Sequence, residues 1–296
     1  MKTNLRMPAM LALLSITCIS CNNYFIGHTF FGMPKTSISA ITFETMLTNE
    51  NIRFVYPDTA GNTYLRQLRL DNNLSGLIAN ANNDRGKALI ILNWTHNQWK
   101  HDGSNKPSKS DALTILKEAK EGKKFRCVEY GIVSCDALLS LGIKARRLQL
   151  KTKDVELCKR SAGHVLAEVW LADISKWALI DGQFNVMPVL NDTPLNAVEL
   201  QQAIIEKRDF NLIDINGVVS NKQRNEYLVF IPHYLYYFDV MFDNRHVSAS
   251  ERHMVEGKSS LMLVPKGSKN PTIFQRKYPL DYCLYTNSVA DFYQKP

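Results

Sequence analysis

Three phrases in the stretch from Lys123 to Asn185 decide how this chain is read: FRCVEYG (125–131), AGHVLAEVWL (162–171) and KWALIDGQFN (176–185). In the first, Cys127 opens a proline-free run, Val128 to Leu141, that ends at Gly142. Val128, Ile132, Cys135, Leu138 and Leu139 recur along it at helical spacing, and glycine is a common stop just past a helix. The spacing predicts a helix with Cys127 in its first turn, where backbone N–H groups lack intrahelical partners. In the second phrase, β-branched and aromatic residues from Val165 to Leu171 predict a strand led by His164. In the third, Trp177 to Ile180 predict a strand ending at Asp181, with Asp173-Ile174-Ser175-Lys176 as the hairpin turn between the two. Alternation puts His164, Leu166, Glu168 and Trp170 on one face of the first strand.

A thiol, an imidazole and a carboxylate are the three parts of an activated nucleophile. The thiolate is the attacking species, and both a helix N-terminus and a neighbouring imidazolium favour it. Cys127 is the candidate nucleophile and His164 the candidate proton carrier. Asp181 is the candidate that orients the imidazole. Taken singly, each residue has a plainer reading: a buried thiol, a structural histidine, a turn-forming aspartate. Their joint order carries the chemical reading.

The same residues resemble the transglutaminase-like superfamily, a branch of the papain-like cysteine enzymes. The similar features are a cysteine on a helix N-terminus, then Gly142-Ile143 leading to Arg146, then His164 and Glu168 on one strand, then an aromatic strand from Trp177 to Asp181. The resemblance runs from about Trp94 to Asn185, extends back to about Asn62 and stops near position 215. It implies an α+β fold, with helices packed on an antiparallel sheet. It also implies a Cys127-His164-Asp181 triad working through a thioester, without a cofactor, as an amide hydrolase or acyl-transferase. The implied substrate is a peptide, protein or cell-wall amide. Relatives often take their oxyanion partner from a tryptophan well before the cysteine; here Trp94, Gln98 and Trp99 are the candidates. Two positions depart from the family pattern: Leu166, where many relatives have tryptophan, and Gly182, where many have proline. A non-catalytic binding module on the same fold is the alternative those departures favour.

Around this centre the chain divides into four parts. Residues 1–21 read as a lipoprotein-type signal: Lys2 and Arg6 precede an apolar run, Ala9 to Ile19, too short to span a bilayer. Ser20-Cys21 resembles a lipobox, so Cys21 is the expected lipidation site and the cell envelope the expected location, with the protein held to the membrane by a lipid anchor. Residues 22–60 read as a tether and N-terminal strands, 61–215 as the transglutaminase-like domain, and 216–296 as a β-rich region, either an appendage or strands that complete the same sheet. Within the domain we expect a helix over Thr63 to Ala81 broken near Asp71, a second over Lys87 to Trp99, and a third capped by Ser110-Asp111. A strand over Ile143 to Leu150 and a charged loop up to Gly163 follow. Thr193-Pro194 is expected to open a later helix. Tyr227 to Phe242 and Leu261 to Val264 are expected as strands.

The 296 residues allow one large or two small domains, and a 45% hydrophobic content suffices for a packed core. The net charge of +8 suits an anionic setting such as a membrane surface, a wall polymer or an acidic substrate. No helix-turn-helix, zinc-finger or RNP pattern is present, so a nucleic-acid partner is not expected. His96 and His101 lie five apart, off a common helix face, and no HExxH follows, so no metal site is expected. Cys18 and Cys21 lack a second ligand pair. Cys127 and Cys135 on one helix are about 12 Å apart along its axis, too far for a disulfide. A Cys158–Cys283 pair is left open.

Overall fold

The computed structural model describes residues 41–296. The expected signal, Cys21 and the first part of the tether lie outside the described residues. Side-chain caps set the helix starts. Asn62 accepts from the Leu65 N–H to open Thr63–Asp71, and Asn73, in the left-handed region, separates that helix from Leu74–Leu77. Asn83 caps Asp84–His96, which therefore begins a turn earlier than its apolar spacing suggested. Asp111 caps Ala112–Lys120. The helix that carries the thiol runs Cys127–Ser140.

After it come β1 (Ala145–Lys151), β2 (Gly163–Leu171) and β3 (Lys176–Ile180), consecutive antiparallel strands. A separate small sheet holds β4 (Met187–Leu190), β5 (Thr193–Pro194), β6 (Asn211–Asp214) and β7 (Gly217–Val218). Thr193-Pro194 thus pairs as a strand instead of opening a helix. The helix starts at Ala197, where Asn196 and Glu199 form a reciprocal capping box. The next departure is larger. Asn221–Phe230 is a helix capped by Ser220, followed by a 3-10 turn over Ile231–Tyr234, so the aromatic run expected as strand is helical in its first half. Strand begins only at β8 (Tyr237–Met241). Aromatic and β-branched residues favour a strand only where a half-buried pleat receives them; here the cap at Ser220 and burial of Tyr227 favour the helix.

β8 pairs with β1, matching Leu148 to Val240, and β9 (Ser260–Leu263) pairs with β8. β10 (Ile273–Phe274) and β11 (Tyr278–Pro279) form a small hairpin, and β12 (Cys283–Thr286) runs parallel to β9. The main sheet has the order β12-β9-β8-β1-β2-β3, so residues 216–296 supply three of its six strands.

Ala167, Val169 and Leu171 of β2 pack into the helical layer, with Ile132, Val133 and Ala137 of the thiol helix. Leu166 packs on the opposite face with Leu148, Leu150, Phe238 and Tyr227. The thiol helix crosses β2 at Gly131. A Cβ there would stand 2.9 Å from Val165 Cγ1 and 3.2 Å from the Leu166 carbonyl oxygen, closer than packed atoms tolerate. Gly131→Ala is therefore expected to push the helix off the strand and lower stability by about 1–3 kcal/mol, measured by urea denaturation. Stability equal to or above the parent would show that the crossing has slack.

Candidate active site

Cys127 is the first residue of its helix and is half-buried with a free thiol. The entry to that helix is held on both sides. The Glu129 carboxylate accepts the Arg126 N–H at 3.0 Å and pairs with the Arg126 guanidinium. The Phe125 carbonyl accepts the Asp102 N–H at 2.8 Å. Trp99 packs on Tyr130 with ring centroids 4.5 Å apart and on Phe125 at 5.6 Å, and the Tyr130 hydroxyl donates to the Trp99 carbonyl. These contacts fix the turn that presents the sulfur.

His164 is the second residue of β2 and Asp181 the first beyond β3. Ala167 pairs with Ile180, so continuing the register sets Asp181 opposite Leu166, with His164 one same-face step further along. Such diagonal neighbours lie within reach of long side chains. His164 Nε2 and Asp181 Oδ2 meet at 2.7 Å, both fully buried. Asp181 Oδ1 accepts the Gln183 N–H at 3.0 Å and the Phe184 N–H at 3.4 Å, so the turn after β3 orients the carboxylate. Burial by itself opposes charge on His164. The Asp181 charge and its hydrogen bond, together with a hydrogen bond and charge contribution from Cys127, outweigh that burial and raise the imidazole pKa to about 10. With Nε2 committed to Asp181, Nδ1 is the ring atom left for the thiol. Burial pushes the Cys135 and Cys283 thiols far up and the Cys158 thiol to about 11. All four described cysteines are unpaired, Cys158 and Cys283 included.

An aromatic wall that sequence reasoning missed surrounds His164. Its ring meets Phe230 edge-on at 5.0 Å, Tyr234 at 5.8 Å and Phe184 at 6.3 Å. Tyr227 packs behind Phe184 at 5.2 Å. The Tyr227 hydroxyl faces Asp181 outside good hydrogen-bond geometry; burial, then the Asp181 charge, raise its pKa well above the ordinary value. The wall excludes water from the imidazole–carboxylate pair, which strengthens the interaction between them. A helical reading of Asn221–Phe230 would have put Tyr227 and Phe230 on neighbouring turns of one face; nothing in the sequence points that face at position 164.

The oxyanion candidates separate by what they touch. The Gln98 amide donates to the Trp94 carbonyl at 2.8 Å, one turn back. Trp94 packs partly against the helical core. The Trp99 indole is buried beside Phe125 and Tyr130, and its Nε1 has no partner among the described residues. His96 contacts the Gly182 carbonyl through Nδ1 at 3.0 Å and so ties its helix to the turn after Asp181. Gly182 lies against the thiol helix, where a Cβ would meet Ser134 Oγ and Tyr130 Cβ at 3.2 Å.

Residues 72–182, which hold Cys127, His164 and Asp181, match the model of the transglutaminase-like superfamily. Among solved structures, the chain is similar to a Cytophaga hutchinsonii protein described as a "Putative Cysteine Protease", at 18% identity over 48% of this chain and 46% of that one, TM-score 0.34. It is also similar to a TGase, at 19% identity over 40% of this chain and 31% of that one, TM-score 0.30, and to red sea bream transglutaminase, at 14% identity over 51% and 32%, TM-score 0.29. The chain thus spans less than half the length of each of these proteins. No curated protein matches it. The described residues fold as helices packed on a largely antiparallel sheet.

Proposed function

We propose that this protein is a cysteine-dependent amide hydrolase or acyl-transferase of the cell envelope, held to the membrane by a lipid on Cys21. The observation that carries the reading is the buried 2.7 Å contact between His164 Nε2 and Asp181 Oδ2, with the other imidazole nitrogen left for a thiol at a helix N-terminus. Cys127 Sγ first gives its proton to His164 Nδ1 and then attacks the amide carbonyl as the thiolate of the resulting ion pair. The carbonyl oxygen takes up the negative charge, steadied by the Cys127 backbone N–H and a donor from the Trp94 to Trp99 segment. The C–N bond then breaks as the imidazolium returns the proton to the leaving amine, leaving a thioester on Cys127. Water or an amine resolves the thioester, with His164 acting as base, so hydrolysis and transamidation share every step up to the acceptor. Asp181 keeps its charge throughout and stabilises the imidazolium. The substrate class is a peptide, protein or cell-wall amide.

One experiment tests both chemistry and location. The full chain, expressed with its own first 21 residues, is treated with a thiol-directed probe at pH 7 and partitioned in detergent. Cys127 is expected to label well ahead of Cys135, Cys158 and Cys283, in the detergent phase, and Cys21→Ser should move the labelled protein to the aqueous phase. If Cys127 labels no faster than the other three cysteines, the non-catalytic binding module replaces the enzyme.

A further inference from the structure

A cleft of about 160 Å³ lies against the second half of the thiol helix, walled by Asp136 of that helix, Arg147 of β1, and Asp243, Arg245, His246 and Arg252 after β8. Its two acids are already satisfied by the protein. The Asp136 carboxylate accepts the Tyr64 hydroxyl at 2.7 Å and contacts His246 Nε2 at 3.0 Å, with the His246 ring packed on Tyr64 at 4.2 Å. The Asp243 carboxylate accepts Arg245 Nε at 2.9 Å, Arg245 Nη2 at 2.8 Å and the backbone N–H groups of Arg245 and His253. The cations are not satisfied in the same way. The half-buried Arg147 guanidinium donates to the Met241 thioether at 3.3 Å, a weak acceptor. Neither Arg147 nor Arg252, at the exposed rim, makes an ion pair among the described residues.

A partly dehydrated guanidinium facing a thioether has lost water without gaining an ion pair. Arginine forks match the paired oxygens of a phosphate group, and these hydrogen bonds are the stronger, charge-assisted kind. We propose that this cleft binds a small phosphate-type oxyanion. Arg147 is its inner donor and Arg252 its rim donor, and Arg245, steered by Asp243, contributes Nη1, since its Nε and Nη2 are taken by Asp243 and the Glu251 carbonyl. At about 160 Å³ the space takes one phosphate group. The cleft is lined by a different part of the thiol helix from the turn that carries Cys127, and the proposal stands apart from the reading of the triad.

The test uses the full chain, titrated with sodium phosphate against sodium chloride at matched ionic strength, with glycerol phosphate as a parallel arm. Thermal unfolding and calorimetry are the readouts, since a ligand that binds the folded state raises its stability. A saturable rise with phosphate beyond the chloride control is expected. Arg147→Gln and Arg252→Gln are each expected to weaken binding by about tenfold, the scale of one lost charge-assisted contact. Binding of glycerol phosphate as well assigns the site to a phosphomonoester; binding of phosphate alone assigns it to the free ion. Equal responses to phosphate and chloride overturn the proposal, as does binding at parent strength by folded Arg252→Gln, a change at an exposed residue that leaves the packing in place.

Discussion

His164→Ala is expected to lower turnover of an amide substrate by at least about 10³-fold, because in the proposed mechanism one residue serves as proton acceptor, proton donor and counter-charge to the sulfur. The same variant should slow alkylation of Cys127 at neutral pH while circular dichroism reports an intact fold. Wild-type turnover and alkylation rates in this variant would remove His164 from the site. The pair also has a pH signature. The folded pKa of His164 is raised to about 10 from an ordinary 6.5. The imidazolium–carboxylate pair therefore contributes its full stability below about pH 6.5. The contribution is lost as pH rises toward about 10, because the unfolded chain has by then released the proton that the folded one still holds. Its scale is on the order of a few kcal/mol. Asp181→Asn keeps a hydrogen-bonding group but removes the charge. The stability difference between parent and Asp181→Asn should accordingly shrink from pH 6 to pH 10; a difference independent of pH would mean that the imidazole is neutral in the folded protein.

Arg146→Met is expected to cost about 3–5 kcal/mol, the usual scale for leaving one member of a buried ion pair behind. Arg146 and Glu168 are both fully buried and face each other across β1 and β2. The guanidinium donates to Glu168 Oε2 at 2.7 and 3.1 Å and to the Phe292 carbonyl at 2.8 Å. It lies within 4.4–4.9 Å of the ring centroids of Trp177, Phe292 and Tyr293. Glu168 Oε1 takes the Tyr293 hydroxyl and the Ala197 N–H. Met in place of Arg146 fills similar space but strands a charged Glu168, whereas the double variant with Glu168→Gln should recover part of the loss. Arg146→Lys should also be destabilising, since an ammonium cannot reproduce the fork or the stacking. Urea denaturation measures all three, and a loss below about 1 kcal/mol for Arg146→Met would mean that Glu168 is solvated or protonated. Because Glu168 lies on the same face of β2 as His164, loosening it should also loosen the site.

What the sequence by itself determined was local. The helix that begins at Cys127, the β2–β3 hairpin and the meeting of His164 with Asp181 follow from periodicities of a few residues and an antiparallel register, which act between near neighbours. The pairing of Arg146 with Glu168 lies across the next strand pair, and both residues belong to the resemblance. Tertiary structure alone decided what surrounds that centre. Phe230 and Tyr234 reach His164 from 66 and 70 positions downstream, and the helix that brings Phe230 departs from the expected strand because aromatic residues take their conformation from the surface that buries them. The aromatic run from Tyr227 to Phe242 also gave no sign of which edge β8 would join; the exposed side of β1 settled that. Trp94, Gln98 and Trp99 were equivalent in sequence, and packing against Phe125 and Tyr130 distinguishes Trp99. The cleft at Arg147 depends on a helix, a strand and a late loop meeting in space, a proximity set by long-range packing that no local pattern encodes.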